Sequence, residues 1–160
     1  MRSALEKFKV VLDTKPLIKL FAQEEGWKAV QEILFRIEAG ELEAGISVVT
    51  LTEVYYKYLL EKRPDLAVAR ADQLRYATYL KKLVITEDAA IKAGELRGRY
   101  GIPVADAYIA ASAYLEGSVV VSDDPDFRKI HEIKALTATE LCHKLRVNDD
   151  LSDNRSPHQR

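Results

Sequence analysis

Two short apolar runs constrain the fold of this chain more than any other feature of its sequence. The runs at residues 10–12 (VVL) and 119–121 (VVV) are uninterrupted, and each ends at a polar residue, Asp13 and Ser122. An apolar run of this length is typical of a strand that is covered on both faces, as in a parallel sheet. Between the two runs, the apolar residues mostly follow the 3.6-residue period of helices. The sequence therefore predicts an α/β fold of three layers (α/β/α), with a mainly parallel central sheet between helices.

Further strands are predicted at residues 43–46 and 83–85, with helices between them. The clearest helix signals are Ser47 as the cap of a helix over 48–62, Thr86 before a helix that Gly101 ends, and an alanine-rich helix over 104–115. Another helix is predicted over 66–82, and a last one over 137–145. A chain of 160 residues fits one domain. We predict that the domain covers residues 1–146 and that residues 147–160 form a polar, flexible tail.

The composition excludes several classes of protein. With 24 basic and 25 acidic residues the formal net charge is −1, which excludes a polycation that binds nucleic acid by bulk charge. The single cysteine, Cys142, cannot form an intramolecular disulfide, so nothing points to an oxidising compartment. No run of about 18 apolar residues is present to cross a membrane, and the charged N-terminus does not resemble a signal peptide. We expect a cytoplasmic protein with no membrane association.

Acidic residues follow both apolar runs at the point where each strand should end. Asp13 comes directly after the first run, and Asp124 and Asp126 lie in the SDDPDF segment after the second. Function gathers at the carboxyl ends of the strands in open α/β sheets. Each acid alone could be a helix cap or part of an ordinary turn. Together they indicate one shared crevice.

Two more acids lie on helix faces where apolar residues are expected. Glu53 shares the stripe 49–53–56–60 with Val, Tyr and Leu, and Asp106 shares a face with Ile109 and Ala110. A carboxylate that faces a core costs free energy unless it is paired or bound to a metal. Taken singly, an ion pair for Glu53 or a favourable first-turn position for Asp106 would explain each one. In combination with the strand-end acids they favour a site for Mg²⁺ or Mn²⁺, which prefer oxygen ligands.

Four segments in order resemble the PIN-domain ribonucleases, and among them the VapC-type toxins of toxin–antitoxin pairs. The segments are VLDT at 11–14, TLTEV at 50–54, VADAYIAASA at 104–113 and VSDDPDF at 121–127. The resemblance extends from the N-terminus to the helix ending near residue 145. Two features depart from the family pattern. The 64–82 segment and the polar tail make the chain longer than a minimal member, and Lys15-Pro16 stands where small or polar residues are common. We expect neither departure to touch one of the acids.

The resemblance implies a PIN-like fold and a Mg²⁺- or Mn²⁺-dependent endoribonuclease, the toxin of a type II toxin–antitoxin pair. It further implies a cognate antitoxin protein and a homodimer. The mechanism we expect is hydrolysis of an RNA phosphodiester by metal-activated water. The residues concerned are Asp13, Glu53, Asp106 and Asp124 as catalytic groups, Asp13, Asp106, Asp124 and Asp126 as metal ligands, and Thr14 and Ser122 as supporting residues.

An acidic pocket repels RNA, so basic residues are expected beside it. Arg97 and Arg99 precede the Asp106 helix by a short turn, and Lys15 follows Asp13 closely. We predict phosphate contacts for these three residues. A solvated helix end that carries cations for the helix dipole is the alternative interpretation of the two arginines.

Two other functions remain open at the level of the sequence. One is a phosphatase that uses Asp13 as its nucleophile. Such enzymes commonly carry a second acid two residues later, where this chain has Lys15. The other is a binding module with the PIN-like fold and no catalysis, against which the complete acid set argues.

Overall fold

The computed structural model describes residues 8–154, and in that range it contains a sheet of five parallel strands. The strand order is β3-β2-β1-β4-β5. This confirms the prediction of a parallel sheet. The strands are β1 (Lys9–Leu12), β2 (Glu43–Ser47), β3 (Leu80–Leu83), β4 (Val119–Val121) and β5 (Ala135–Leu136).

Helices cover both faces of this sheet, as the three-layer prediction requires. Along β1, Val10 and Leu12 pack on one side with α1, α2, α3, α4 and α7, whereas Val11 packs on the other side with α5 and α6. None of the helices in the described range is long and apolar enough to span a membrane. The helices are α1 (Thr14–Ala22), α2 (Trp27–Glu38), α3 (Val48–Leu60), α4 (Pro64–Arg75), α5 (Glu87–Tyr100), α6 (Val104–Glu116) and α7 (Ala138–Asp153), with a 3₁₀ helix, η1 (Pro125–Lys129), after β4.

The strand order reverses direction at β1, the central strand. From β1 the chain builds outward through β2 to β3 on one side, and later through β4 to β5 on the other. The crevice between β1 and β4 is therefore the topological switch point, where open α/β sheets place their ligands. Leu12 and Val121 are partners in the register of these two strands, so Asp13 and Ser122 emerge side by side.

The third strand and the helix before it differ from the sequence prediction. The helix predicted over 66–82 ends at Arg75, and the strand covers Leu80–Leu83 rather than 83–85. Because β3 is an edge strand, its two lysines can reach solvent or carbonyl groups. Lys82 Nζ donates to the carbonyl oxygens of Ala77 and Leu80 at 2.5 and 2.7 Å. The apolar pair that suggested a later strand, residues 84–85, is exposed.

The last helix also differs, because it continues well beyond the predicted end at residue 145. It begins with a capping box between Thr137 and Glu140 and runs to Asp153, across the predicted boundary at 146 and into the segment predicted as a flexible tail. Arg36 of α2 pairs with Asp149 at 2.8 Å, which ties this polar extension to the domain. The part of the tail at 155–160 lies outside the described residues.

Candidate active site

Asp13 is the most buried acid of the site, with 1% of its surface exposed. It follows β1 directly, and its backbone N–H donates to the Val121 carbonyl at 3.0 Å. As the N-cap of α1 it accepts a hydrogen bond on Oδ1 from the Thr14 amide at 2.8 Å. On Oδ2 it accepts one from the Ser122 hydroxyl at 2.6 Å. Both carboxylate oxygens are therefore fixed before any ligand arrives.

A hydrogen bond to Ser122 also helps to position the acids that follow β4. The Ser122 hydroxyl oxygen accepts from the Asp124 amide at 3.0 Å, and Asp124 Oδ1 accepts from the Asp126 amide at 3.0 Å. Asp124 is thus the N-cap of η1. A continuous chain of hydrogen bonds connects Asp13 to Asp126 through one serine, as expected for a supporting residue.

Asp106 brings a third element to the same place. It lies in the first turn of α6, where the buried face is made of small residues such as Ala107 and Ala110. One carboxylate oxygen from each of Asp106, Asp124 and Asp126 lies within 4.8 Å of the other two. The structure therefore places three of the four predicted metal ligands close enough to share one ion.

Glu53 is held at the site by hydroxyl groups rather than by a cation. Thr14 Oγ1 donates to Glu53 Oε1 at 2.7 Å, and the hydroxyl oxygens of Thr14 and Thr50 lie 3.0 Å apart. Since Thr14 has a single hydroxyl proton, Thr50 is the donor to Thr14. The sequence-based interpretation missed Thr50. The sequence signal that could have identified Thr50 is its position one helical turn before Glu53, in the same TLTEV segment.

The stripe that led to Glu53 does not face the core. The buried face of α3 carries Thr50, Val54 and Tyr58. The stripe residues Tyr56 and Leu60 are 49% and 77% exposed. They line a groove of about 410 Å³ together with Glu53, Asp13 and Asp106. The expectation of a carboxylate facing the core is therefore wrong for Glu53, which lies half-buried on the groove wall.

Burial and crowding raise the pKa of two of the acids. Burial raises the pKa of Asp13 to about 6, with a smaller contribution from the charge of Glu53, although the hydrogen bonds from Ser122 and Thr14 oppose the rise. Burial, followed by the charges of Asp13, Asp124 and Glu53, raises the pKa of Asp106 to about 7. The site therefore holds negative charge at a cost that a bound cation would relieve.

Lysines contact the remaining acids. Lys15 Nζ lies 2.7 Å from Asp124 Oδ2, and Lys129 Nζ lies 2.9 Å from Asp126 Oδ1. Burial acts to raise the pKa of Asp124, but hydrogen bonds from Lys15 and from the Asp126 amide hold it below its ordinary value. Lys15, predicted as a phosphate contact, is thus part of the acid cluster itself.

The two arginines predicted to contact RNA are engaged elsewhere. Arg97 donates to the Ile102 carbonyl at 2.6 Å and so closes the turn between α5 and α6. Arg99 pairs with Glu95 and Glu132. The structure does not bring either guanidinium group to the acids, and their role in RNA contact stays a prediction.

The donor set fits a hard divalent cation. Its members are all carboxylates, there is no histidine or thiolate among them, and one oxygen from each of three members lies within 4.8 Å of the other two. Such oxygen-only sets select Mg²⁺, Mn²⁺ or Ca²⁺ rather than softer metals. The raised pKa of Asp106 has the same implication, because a cation is what would keep these crowded groups ionised together.

Comparisons with known proteins agree with this geometry. Residues 10–133 match the family model described as the PIN domain. Ribonuclease VapC4 of Mycobacterium tuberculosis is 28% identical over 100 residues, which are 59% of this chain and 77% of that protein. VapBC2 from Rickettsia felis, solved bound to a promoter DNA fragment, superposes with a TM-score of 0.67 at 18% identity, covering 81% of this chain and 98% of that one. A toxin–antitoxin complex from Klebsiella pneumoniae gives 0.60 at 24%, with coverage of 81% and 97%.

These likenesses confirm the PIN-like fold expected from the four sequence segments. The region matched by the family model contains every acid of the site, from Asp13 to Asp126.

Proposed function

This chain belongs to the PIN domain family, and on that premise we propose that it is a metal-dependent endoribonuclease, the toxin of a type II toxin–antitoxin pair. The observation that carries the proposal is the convergence of four acids: Asp13, Glu53 and Asp106 line one groove, and a carboxylate oxygen of Asp124 lies within 4.8 Å of one of Asp106. The relative from Mycobacterium tuberculosis is a ribonuclease, which supports the reaction class.

We propose Asp13, Asp106, Asp124 and Asp126 as the residues that hold Mg²⁺ or Mn²⁺. A bound divalent ion lowers the pKa of water and stabilises the charge that develops on a phosphate. The residues of the chain do the rest. Ser122 and the Thr14 amide keep the Asp13 carboxylate in one orientation, so no reorganisation is needed on ligand binding.

Glu53 is suited to orient the attacking water. Its Oε1 atom accepts the Thr14 hydroxyl, which fixes the carboxylate in the groove. Its second oxygen, Oε2, is then available to accept a hydrogen bond from water and to take its proton. The hydroxyl pair of Thr14 and Thr50 acts here as a positioning device.

Cleavage assays with single-stranded and structured RNA test this function. The metal-stripped full chain should cleave neither, and addition of Mg²⁺ or Mn²⁺ at millimolar concentration should restore internal cleavage. Fragments that appear equally in EDTA would contradict metal dependence. Absence of cleavage under every metal condition, in the antitoxin-free protein, would contradict the endonuclease assignment.

A groove beside the acids offers a path for the RNA strand. The hollow of about 410 Å³ at Glu53 adjoins a second one of about 530 Å³ at Asp124, and both are lined by Lys15, Ile18 and Lys57. Lysines on the path can contact the phosphates on either side of the cleaved bond. The exposed ring of Tyr56 offers a surface on which a base can stack.

Replacing Lys57 with methionine should weaken RNA binding about three- to tenfold. It should also reduce the slope of log binding constant against log salt concentration by about one. The measurement is fluorescence anisotropy of labelled RNA in Ca²⁺, at several salt concentrations. Lys81→Met is the matched control, because it removes a lysine that pairs with Glu116 at the opposite end of α6. A larger effect of Lys81→Met than of Lys57→Met would place the RNA on another surface.

Two protein partners follow from the same assignment. One solved relative is described as a toxin–antitoxin complex, and we propose a small antitoxin that blocks the pocket by placing a basic side chain among its acids. The pocket already accepts one such group, Lys15. We also propose a homodimer in the cytoplasm, for which the exposed apolar residues of α3 offer a surface. Light scattering at micromolar concentration measures the dimer directly.

The phosphatase alternative loses support at the position two residues after Asp13, where such enzymes commonly carry a second acid. The residue two positions later is Lys15, which neutralises Asp124 rather than acting as a general acid.

A further inference from the structure

The loop after β4 carries three acids, and each is paired with a different lysine. Asp123 pairs with Lys19, Asp124 with Lys15, and Asp126 with Lys129. The Lys129 pair is local, three residues apart along the chain, and the Asp123 pair involves an acid outside the proposed metal site. The Lys15 pair differs from both, because it joins α1 to a proposed metal ligand 109 residues away.

The position of Lys15 is unfavourable for its own helix. It lies in the first turn of α1, where the helix dipole disfavours a positive charge. Its charge is instead compensated from outside the helix, by a carboxylate whose side chain is only 11% exposed, whereas that of Lys15 is 66% exposed. Lys15 also lines the groove that Asp13, Glu53 and Asp106 line. The ammonium group therefore lies beside the carboxylates of the proposed metal site.

We propose that Lys15 is a tethered counter-ion of the metal site, which neutralises Asp124 in the metal-free protein and competes with the divalent ion for that carboxylate. This inference rests on the proposed function, because it assumes the metal site that the proposed function includes. It adds a regulatory element within the chain: the affinity for metal is set by a competition between an internal ammonium group and an external ion.

The physical case rests on charge balance and on mobility. The site gathers Asp13, Glu53, Asp106, Asp124 and Asp126, and among residues 8–154 only the lysines at positions 15 and 129 form ion pairs with the last two. Without a counter-ion the repulsion among these carboxylates would be larger. The exposed four-carbon stem of Lys15 can swing away at little cost, so the pair can be exchanged for an ion.

Calorimetric titration of the metal-stripped full chain with Mn²⁺ tests the competition directly. Lys15→Met should bind Mn²⁺ about five- to tenfold more tightly than the wild type, because the ion no longer displaces a positive charge. Lys15→Arg keeps the charge and should remain close to the wild type. Lys81→Met is the matched control, since Lys81 forms a surface pair with Glu116 at the opposite end of α6 and should change nothing.

Thermal unfolding gives a second readout that does not depend on activity. Metal-free Lys15→Met should unfold a few degrees below the wild type, and saturating Mn²⁺ should raise its Tm by more than it raises that of the wild type. Equal or weaker Mn²⁺ affinity in Lys15→Met, with binding intact in the wild type, would overturn the inference alone. Failure of the wild type to bind Mn²⁺ or Mg²⁺ would overturn the proposed metal site and the inference with it.

Discussion

Replacing Asp106 with asparagine should abolish RNA cleavage and, at the same time, stabilise the metal-free protein. The loss of cleavage should be at least about 100-fold, because Asp106 is one of the three carboxylates whose oxygens lie within 4.8 Å of one another. Without Asp106 the site should lose the bound ion, and with it several kcal/mol of transition-state stabilisation. A gel assay of RNA cleavage at saturating Mg²⁺ measures this part.

The gain in stability follows from the raised pKa of Asp106. Its pKa is about 7 in the folded protein against an ordinary value of 3.8, so the folded state binds more protons than the unfolded state between these values. The free energy of unfolding therefore falls as the pH rises through this window. At pH 8 Asp106 is ionised, and its full destabilising effect is present. Allowing for solvent screening of a half-buried group, Asp106→Asn should recover about 1–2 kcal/mol, measured by urea unfolding in EDTA.

Asp65→Asn is the matched control for both effects. Asp65 also lies in the first turn of a helix, α4, but it is paired with Arg63 on the surface. Its replacement should leave cleavage unchanged and should lower stability slightly, through loss of a favourable first-turn acid. Cleavage by Asp106→Asn within tenfold of the wild type would remove Asp106 from the mechanism. Destabilisation by Asp106→Asn at pH 8 would show that its charge is already compensated.

Divalent-ion binding should depend steeply on pH below neutrality. Asp13 and Asp106, with pKa values of about 6 and 7, must be ionised to hold a cation, so protons and metal compete for the same oxygens. The apparent affinity for Mn²⁺ should rise about tenfold between pH 6 and 7, more steeply below pH 6, and level off above about pH 7.5.

Titration calorimetry from pH 5 to 8 in buffers of different ionisation enthalpy measures the affinity and counts the released protons. About one and a half protons should leave on binding at pH 6 and almost none at pH 8, since both groups are ionised at pH 8. An affinity that stays flat between pH 5.5 and 7.5 would mean that neither Asp13 nor Asp106 is a ligand.

Much of the site could be predicted because a parallel sheet brings the ends of its strands together. Asp13 and Asp124 follow two apolar runs that pair as β1 and β4, so local patterns were enough to place them in one crevice. Asp106 could be assigned to the site because it shares a face of α6 with Ile109 and Ala110, which are completely buried. These signals are periodic or positional, and they do not depend on how distant elements pack.

The features that could not be predicted from the sequence depend on long-range packing. The stripe of Glu53 has helical spacing, but the spacing does not tell which face of α3 meets the sheet, and here that face is the one with Val54. The partnership of Lys15 with Asp124 joins residues 109 positions apart, and no local pattern indicates it. The edge strand with Lys81 and Lys82 lacks the apolar run of a central strand, because only part of it is buried.

The central position of β1 has a consequence for the protein during its own synthesis. The first strand made is the one that needs neighbours on both sides, and its second neighbour, β4, is among the last elements to be translated. A nascent chain of the first hundred residues contains Asp13 and Glu53 but neither Asp106 nor Asp124. It can therefore have no complete acid cluster until β4 and the loop after it have been made. The order of the strands thus delays the assembly of the proposed metal site until late in the synthesis of the domain.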